Sequence, residues 1–324
     1  MIDAAIVGMG RWGRVLVESV QGKSEAIRFV AGCTRSQDKA ADWASAQGIR
    51  MLDGYDAVLA DPAVKAVVLA TPHSQHAGQV IAAAAAGRHI FVEKPFTLTK
   101  ASAEQAVAAV RRAGVAMALG HNRRFQPAAA RLKRMIAAGA LGTLCHIEGN
   151  ISGPGAQGYR PGMWRADPSE SPAGGLAGMG IHMLDMFQHL CGPMAEVTVV
   201  SHARVLANGL DDTTAALLRF RSGVTGSLTT LAAVPRLWRM QVFGSDAWVE
   251  MRGSDELIVG REGKPPEHIT FGPADIERAE LEAFAAACAG GPDYPLTLEE
   301  AVHSAAMFEA VATGARSRGW IAVP

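Results

Sequence analysis

A chain of 324 residues with 49% hydrophobic and 19% charged residues is long enough for two domains that each bury a core, and too apolar to stay disordered. Its 31 basic residues match its 31 acidic ones, so no net field recruits nucleic acid or an anionic membrane, and a small neutral or weakly charged ligand is the expected partner. The four cysteines show no paired spacing for a zinc site or disulfide framework, and no apolar run approaches the roughly 20 residues that span a bilayer. A soluble, cytoplasmic protein with free thiols and no metal is expected.

From residue 1 to about 122, short β-rich runs alternate with alanine-rich stretches, the pattern of a doubly wound parallel sheet. Strands are expected at Ala4–Val7, Ile27–Cys33, Ala66–Ala70, His89–Val92 and Val115–Leu119. Helices are expected at Ser36–Gln47, Ser74–Ala86 and Thr99–Ala113, each followed by a glycine (Gly48, Gly87, Gly114) where a left-handed stop belongs. After Pro127 the rhythm changes. A helix through Ala138 and a strand near Leu144–Ile151 lead into a Gly/Pro-rich passage from Ser152 to Gly175, longer than a simple connector needs. A helix at Ile181–Leu190 precedes β-like segments at Glu196–Val205, Thr213–Phe220, Val224–Leu231, Leu237–Phe243 and Ala247–Met251, whose short connections favour antiparallel pairing. Helices at Ala274–Ala289 and Thr297–Ser317 close the chain. The reading is α/β: a Rossmann domain over 1–122, then an α+β domain with a large, mostly antiparallel open sheet over 123–324, whose closing helices have the option of packing on the first domain.

Gly8-Met9-Gly10-Arg11-Trp12-Gly13 follows the first strand and opens a helix, the context in which a GxGxxG run binds a dinucleotide. Gly8 permits the tight turn, Gly10 the approach of a pyrophosphate, and Gly13 close helix–strand packing; Arg11 and Trp12 lie in the first turn, whose N–H groups face the phosphates. At the end of the second strand, where an acidic side chain usually holds the ribose 2′-hydroxyl of NAD, stand Cys33-Thr34-Arg35-Ser36. Hydroxyls and a guanidinium with no carboxylate favour the 2′-phosphate of NADP, with NAD as the other option. Thr71-Pro72-His73-Ser74-Gln75-His76 follows another strand, which makes Thr71, Pro72 and His76 candidate cofactor contacts.

Glu93-Lys94-Pro95 follows the apolar run His89–Val92. A lysine at the carboxyl end of a parallel strand faces the crevice where open α/β sheets bind ligands, so its ammonium suits both nicotinamide and substrate. Glu93 either orients Lys94 at the cofactor or belongs to the fold. Arg123 and Arg124 end the first domain and are candidates for substrate, cofactor or an interdomain pair, and Tyr159, Trp164 and Arg165 are candidate pocket walls from the long loop.

Together Gly8 to Gly13, Ala86-Gly87-Arg88-His89 leading into Glu93-Lys94-Pro95, and Gly180-Ile181-His182-Met183-Leu184-Asp185 resemble the Gfo/Idh/MocA oxidoreductase family over essentially the whole chain. The resemblance implies NAD(P)-dependent oxidation or reduction of a hydroxyl or carbonyl on sugars, sugar acids, inositols or dihydrodiols, and a homodimer or homotetramer joined through the open sheet. It places the family's lysine at Lys94 as general acid/base, its catalytic-region histidine at His182, and an acidic residue at Asp185 beside the substrate. It also implies an aspartate four residues before the histidine, where this chain has Gly178. Either Asp185, a residue of the Ser152–Pro172 loop or substrate hydroxyls then complete the proton relay, or the chain is a non-catalytic sensor that binds dinucleotide and ligand.

Overall fold

The structure, a computed structural model, describes all residues from Met1 to Pro324. The chain divides into two compact units: Met1–Asn122 with Asp275–Val302, and Arg123–Ala274 with His303–Pro324. The segment 275–302, expected in the second domain or packed back from it, belongs to the first unit.

The first unit contains β1 (Ile2–Val7), α1 (Arg11–Val20), β2 (Ile27–Cys33), α2 (Ala41–Ala46), β3 (Arg50–Met51), α3 (Tyr55–Ala60), β4 (Ala66–Leu69), α4 (His76–Ala85), β5 (His89–Glu93), α5 (Lys100–Ala113) and β6 (Met117–Gly120). Its six strands pair in parallel in the order β3-β2-β1-β4-β5-β6, so the direction of winding reverses between β1 and β4. Helices cover both faces, which is why β4 and β6 are buried at every residue rather than alternating. The three glycine stops adopt the left-handed conformation their positions demand, with φ of +70° at Gly48, +67° at Gly87 and +65° at Gly114. The helix expected from Ser36 starts only after Ala40, because Gln37 to Ala40 form a turn closed by Ala40 N to Gln37 O at 2.8 Å.

In the second unit come α6 (Pro127–Ala137), β7 (Leu144–Ser152), α7 (Ile181–Cys191) preceded by a π-helical turn at Leu176–Gly180, β8 (Met194–His202), β9 (Thr213–Phe220), β10 (Thr225–Leu231), β11 (Leu237–Gly244), β12 (Trp248–Arg252), β13 (Glu256–Gly260) and β14 (Glu267–Thr270). The closing helix α8 (Ile276–Cys288) lies in the first unit, where Phe284 meets Phe91 of β5 edge-on at 5.8 Å; α9 (Leu298–Gly314) and β15 (Ile321–Ala322) follow. Nine strands order as β14-β13-β12-β11-β7-β10-β9-β8-β15, antiparallel except for the β10–β7 pair. On one face α7 lies against β7 so closely that a Cβ on Gly149 would come within 2.5 Å of the Met183 sulfur. The other face alternates outward, leaving Val200 61% and Leu217 55% exposed. No helix is long and apolar enough to cross a membrane.

Candidate active site

Gly8, Thr71 and Lys94 follow β1, β4 and β5 at the carboxyl edge of the parallel sheet, flanking the point where strand order reverses. That is the crevice in which doubly wound sheets hold ligands. Gly8 turns with φ of +97°, and its N–H donates to Cys33 O at 2.9 Å, fastening the turn to the end of β2. A Cβ at Gly8 would lie 2.6 Å from Ala70 O, and one at Gly13 would lie 2.0 Å from Gly8 O, so both positions require glycine for packing. Gly10 differs: a Cβ there would meet nothing within 4 Å, so its exposed backbone borders open space. The start of α1 has no side-chain cap and no acidic residue in its first turn. Its amino-terminal N–H groups, the positive end of the helix dipole and the bare Gly10 backbone therefore fit a dinucleotide pyrophosphate.

Beyond β2, Thr34 is half-buried while Arg35 and Ser36 are exposed. Thr71 donates from Oγ1 to Gln79 Oε1 at 2.6 Å, and Pro72 leads the short turn His73–Gln75. His76 is the other expected cofactor contact after β4. The residue is fully buried, with Nδ1 2.8 Å from Pro95 O and Nε2 3.1 Å from Thr71 O, so its ring braces the loops after β4 and β5 against each other. Arg88 and His89 of the AGRH run are also braces. The Arg88 guanidinium donates to Leu59 O and Val64 O, and His89 Nδ1 accepts from Ala116 N.

Lys94 is half-buried directly after β5, joined to Pro95 by a cis peptide. Glu93 is 5% exposed, and its carboxylate accepts the Trp12 indole N–H at 2.6 Å and the Lys94 backbone N–H at 3.2 Å. Burial pushes the Glu93 carboxyl up to about 7, against the opposing pull of the Lys94 charge and of these two bonds, with Glu277 of α8 adding a weaker upward push. Gly120 closes the other side: a Cβ there would sit 2.9 Å from Glu93 Oε1. Glu277 itself accepts from Asn122 Nδ2 at 2.9 Å. The sequence showed Trp12 and Glu93 separately but not their bond, gave Gly120 no link to Glu93, and did not signal Glu277. No local pattern signals contacts between residues so far apart in the chain.

In the second unit, α7 is buried along almost its whole length, including His182 at 8% exposure. Gly178 is the exposed position of the preceding π-helical turn, and a Cβ there would meet nothing within 4 Å. Asp185, expected to touch substrate or to replace the missing aspartate, is fully buried and accepts from Arg124 Nε at 3.1 and 3.0 Å and from Arg124 Nη2 at 2.8 Å. Both side chains are out of solvent, so this pair anchors α7 to the turn before α6. Arg123 next to it is half-buried.

The Ser152–Gly175 passage is built from short turns at Gly155–Gly158 and Trp164–Ala166, pinned by Gly153 N to Leu231 O and Ala156 N to Ala232 O. Tyr159 and Trp164 are half-buried in it, and exposed Arg165 lies over the Trp164 ring at 4.1 Å.

Residues 2–121 match the family model described as an oxidoreductase family with an NAD-binding Rossmann fold, and residues 129–250 match the GFO/IDH/MocA C-terminal domain. The chain is 31% identical over 266 residues to scyllo-inositol 2-dehydrogenase (NAD(+)) of Bacillus subtilis, covering 79% of this chain and 73% of that one. It is 26% identical over 341 residues to 1,5-anhydro-D-fructose reductase of Ensifer adhaerens, covering 94% and 97%. Among solved structures, the aldose-aldose oxidoreductase from Caulobacter crescentus, complexed with glycerol, superposes with a TM-score of 0.88 over 99% of each chain at 23% identity.

Proposed function

This chain belongs to the Gfo/Idh/MocA family and is a nicotinamide-dependent oxidoreductase acting on CH–OH groups, and from that premise we propose that it works on a small polyhydroxylated substrate with Lys94 as the general acid/base. Its relatives named for an inositol and an anhydro-sugar support that substrate class. The observation that carries the role of Lys94 is its position after β5, on the same sheet edge as the glycine turn after β1.

When bound, the nicotinamide supplies or accepts the hydride. In the reductive direction the Lys94 ammonium polarises the substrate carbonyl and donates a proton to the oxygen; in the oxidative direction its free amine takes the hydroxyl proton. Gly8, Gly10, Gly13 and the first turn of α1 at Arg11 and Trp12 hold the pyrophosphate. Thr71 and Pro72 border the cofactor from the loop after β4. His182 serves as substrate ligand or second proton carrier, and with Asp185 committed to Arg124, substrate hydroxyls or side chains of the Ser152–Pro172 loop complete the relay that Gly178 leaves open. Arg123, Tyr159, Trp164 and Arg165 are the remaining proposed substrate contacts. Turnover in a panel of polyols, inositols, sugar acids and dihydrodiols, with each cofactor, tests the assignment; a panel without activity speaks for the sensor reading.

NADP is the preferred cofactor in this proposal, because exposed Arg35 and Ser36 and half-buried Thr34 offer a guanidinium and hydroxyls to a 2′-phosphate. Calorimetric titration should give tighter binding for NADP than for NAD. Arg35→Ala should erase most of the difference, by about tenfold if one charge-assisted contact of roughly 1.5 kcal/mol is lost. Equal affinities in the unaltered protein would refute the preference.

A homodimer or homotetramer is proposed from the outward face of the nine-stranded sheet. There Val200 and Leu217 stand 61% and 55% exposed on neighbouring strands β8 and β9, with Leu237 of β11 at 49%. Large apolar side chains on an uncovered sheet face mark an association surface. Light scattering at micromolar concentration should return twice or four times the chain mass, and Leu217→Lys should shift the population towards monomer. A protein that is monomeric throughout would reject the assembly.

A further inference from the structure

Trp12 stands in the first turn of α1, directly after the glycine turn, and Glu93 is the last residue of β5, directly before Lys94. Their bond at 2.6 Å is the short leg of a three-way contact, because the other oxygen of the same carboxylate accepts the Lys94 amide. One buried carboxylate thus joins the pyrophosphate-binding helix start to the backbone of the residue assigned to proton transfer. Gly120 of β6 supports the geometry from the far side, since any larger residue would press on Glu93 Oε1.

We propose that Glu93 is a positioning residue whose carboxylate, bridging the Trp12 indole and the Lys94 amide, holds the glycine-turn helix and the lysine in register, and that protonation of this carboxylate loosens the bridge. The inference rests on the dinucleotide-binding role of the first unit and not on the identity of the substrate. Ionised, the group offers an acceptor oxygen to each donor, and both bonds are charge-assisted. A proton removes the charge and turns one oxygen into a donor facing an N–H, so at least one bond weakens. Burial has moved this event to about 7, close to neutral pH. The charges that face the carboxylate are Lys94 on its own segment, which favours the ionised form, and Glu277 from α8, which opposes it.

Two readouts test this, and neither needs a substrate. In nitrogen-15 spectra of the protein without cofactor, one tryptophan indole N–H signal should move with a midpoint near pH 7. That signal should vanish in Trp12→Phe and stay fixed in Glu93→Gln, while Glu277→Gln should lower its midpoint by removing the like charge. The second readout is NADH affinity, chosen because NADH lacks a phosphate that titrates in this range. Affinity should fall about fivefold between pH 8 and pH 6 in the unaltered protein, the loss of roughly one hydrogen bond, and should be flat with pH in Glu93→Gln. Trp12→Phe, which keeps the ring and removes only the donor, should move the affinity midpoint to higher pH. A purely structural Glu93 would weaken binding equally at every pH. That result, an indole signal that does not titrate, or a titrating signal with pH-independent NADH affinity would each overturn the proposal. A protein inactive on every substrate would leave both measurements readable.

Discussion

Lys94→Ala is expected to cut turnover by about 10²–10⁴ while leaving cofactor affinity nearly unchanged, the range that general acid–base catalysis supplies. In barrier terms that is about 2.7–5.5 kcal/mol. Affinity survives because the groups that fit the pyrophosphate, Gly8, Gly10, Gly13 and the uncapped start of α1, lie after another strand and do not include the lysine side chain. His182→Ala should cost less in turnover and more in substrate affinity, since Lys94 is the proposed primary acid and the histidine the proposed substrate ligand. Steady-state kinetics with cofactor titrations on the same variants separate the two roles. A Lys94→Ala protein with unaltered kcat would remove the lysine from the chemistry.

The second large effect concerns stability. Asp185→Ala should destabilise the second unit by about 3–5 kcal/mol, because it strands the Arg124 guanidinium in a site where both partners are almost wholly buried. The pair itself is not the source of that figure; the penalty comes from removing the carboxylate that faces a buried guanidinium. Arg124→Met combined with Asp185→Leu should therefore recover much of the loss, as apolar groups of similar volume remove both charges at once. Chemical denaturation followed by circular dichroism reads the midpoint, and NADH affinity of the folded protein should be unaffected. An Asp185→Ala protein with an unchanged midpoint and a raised KM would instead support the substrate-binding role that the family resemblance implies for Asp185.

These two residues also show what a single sequence reveals. Features whose cause is local were readable: Gly48, Gly87 and Gly114 stop helices because only glycine takes their positive φ cheaply, and Gly8 and Gly13 are demanded by backbone approach. Lys94 was readable because strand, turn and sheet edge follow from a dozen residues around it. Asp185 was not, since its partner Arg124 lies 61 positions away and only the fold brings the pair together out of solvent. The bracing bonds of His76 were hidden for the same reason: being next to a ligand edge in sequence says nothing about which way a ring faces, and here both nitrogens meet carbonyls. The Trp12–Glu93 bond spans 81 positions and joins two motifs whose direct contact no local pattern signals. Short elements were lost as well. β3 has two residues, and β14 is the polar run Glu267–Thr270, neither of which carries a hydrophobic period.

The central claim is that this chain moves hydride between a nicotinamide and a carbon bearing a hydroxyl or carbonyl, with Lys94 handling the proton. Its most direct test is isotope transfer, using panel substrates deuterated at the reacting carbon, NADP and NAD as acceptors, and mass spectrometry of the recovered nicotinamide. The account predicts one deuterium on the reduced cofactor with the unaltered protein, and a rate of appearance lowered by about 10²–10⁴ with Lys94→Ala. A protein that binds the dinucleotide yet transfers no deuterium from any polyol, inositol, sugar acid or dihydrodiol would contradict it and leave the chain a ligand sensor on an enzyme's fold.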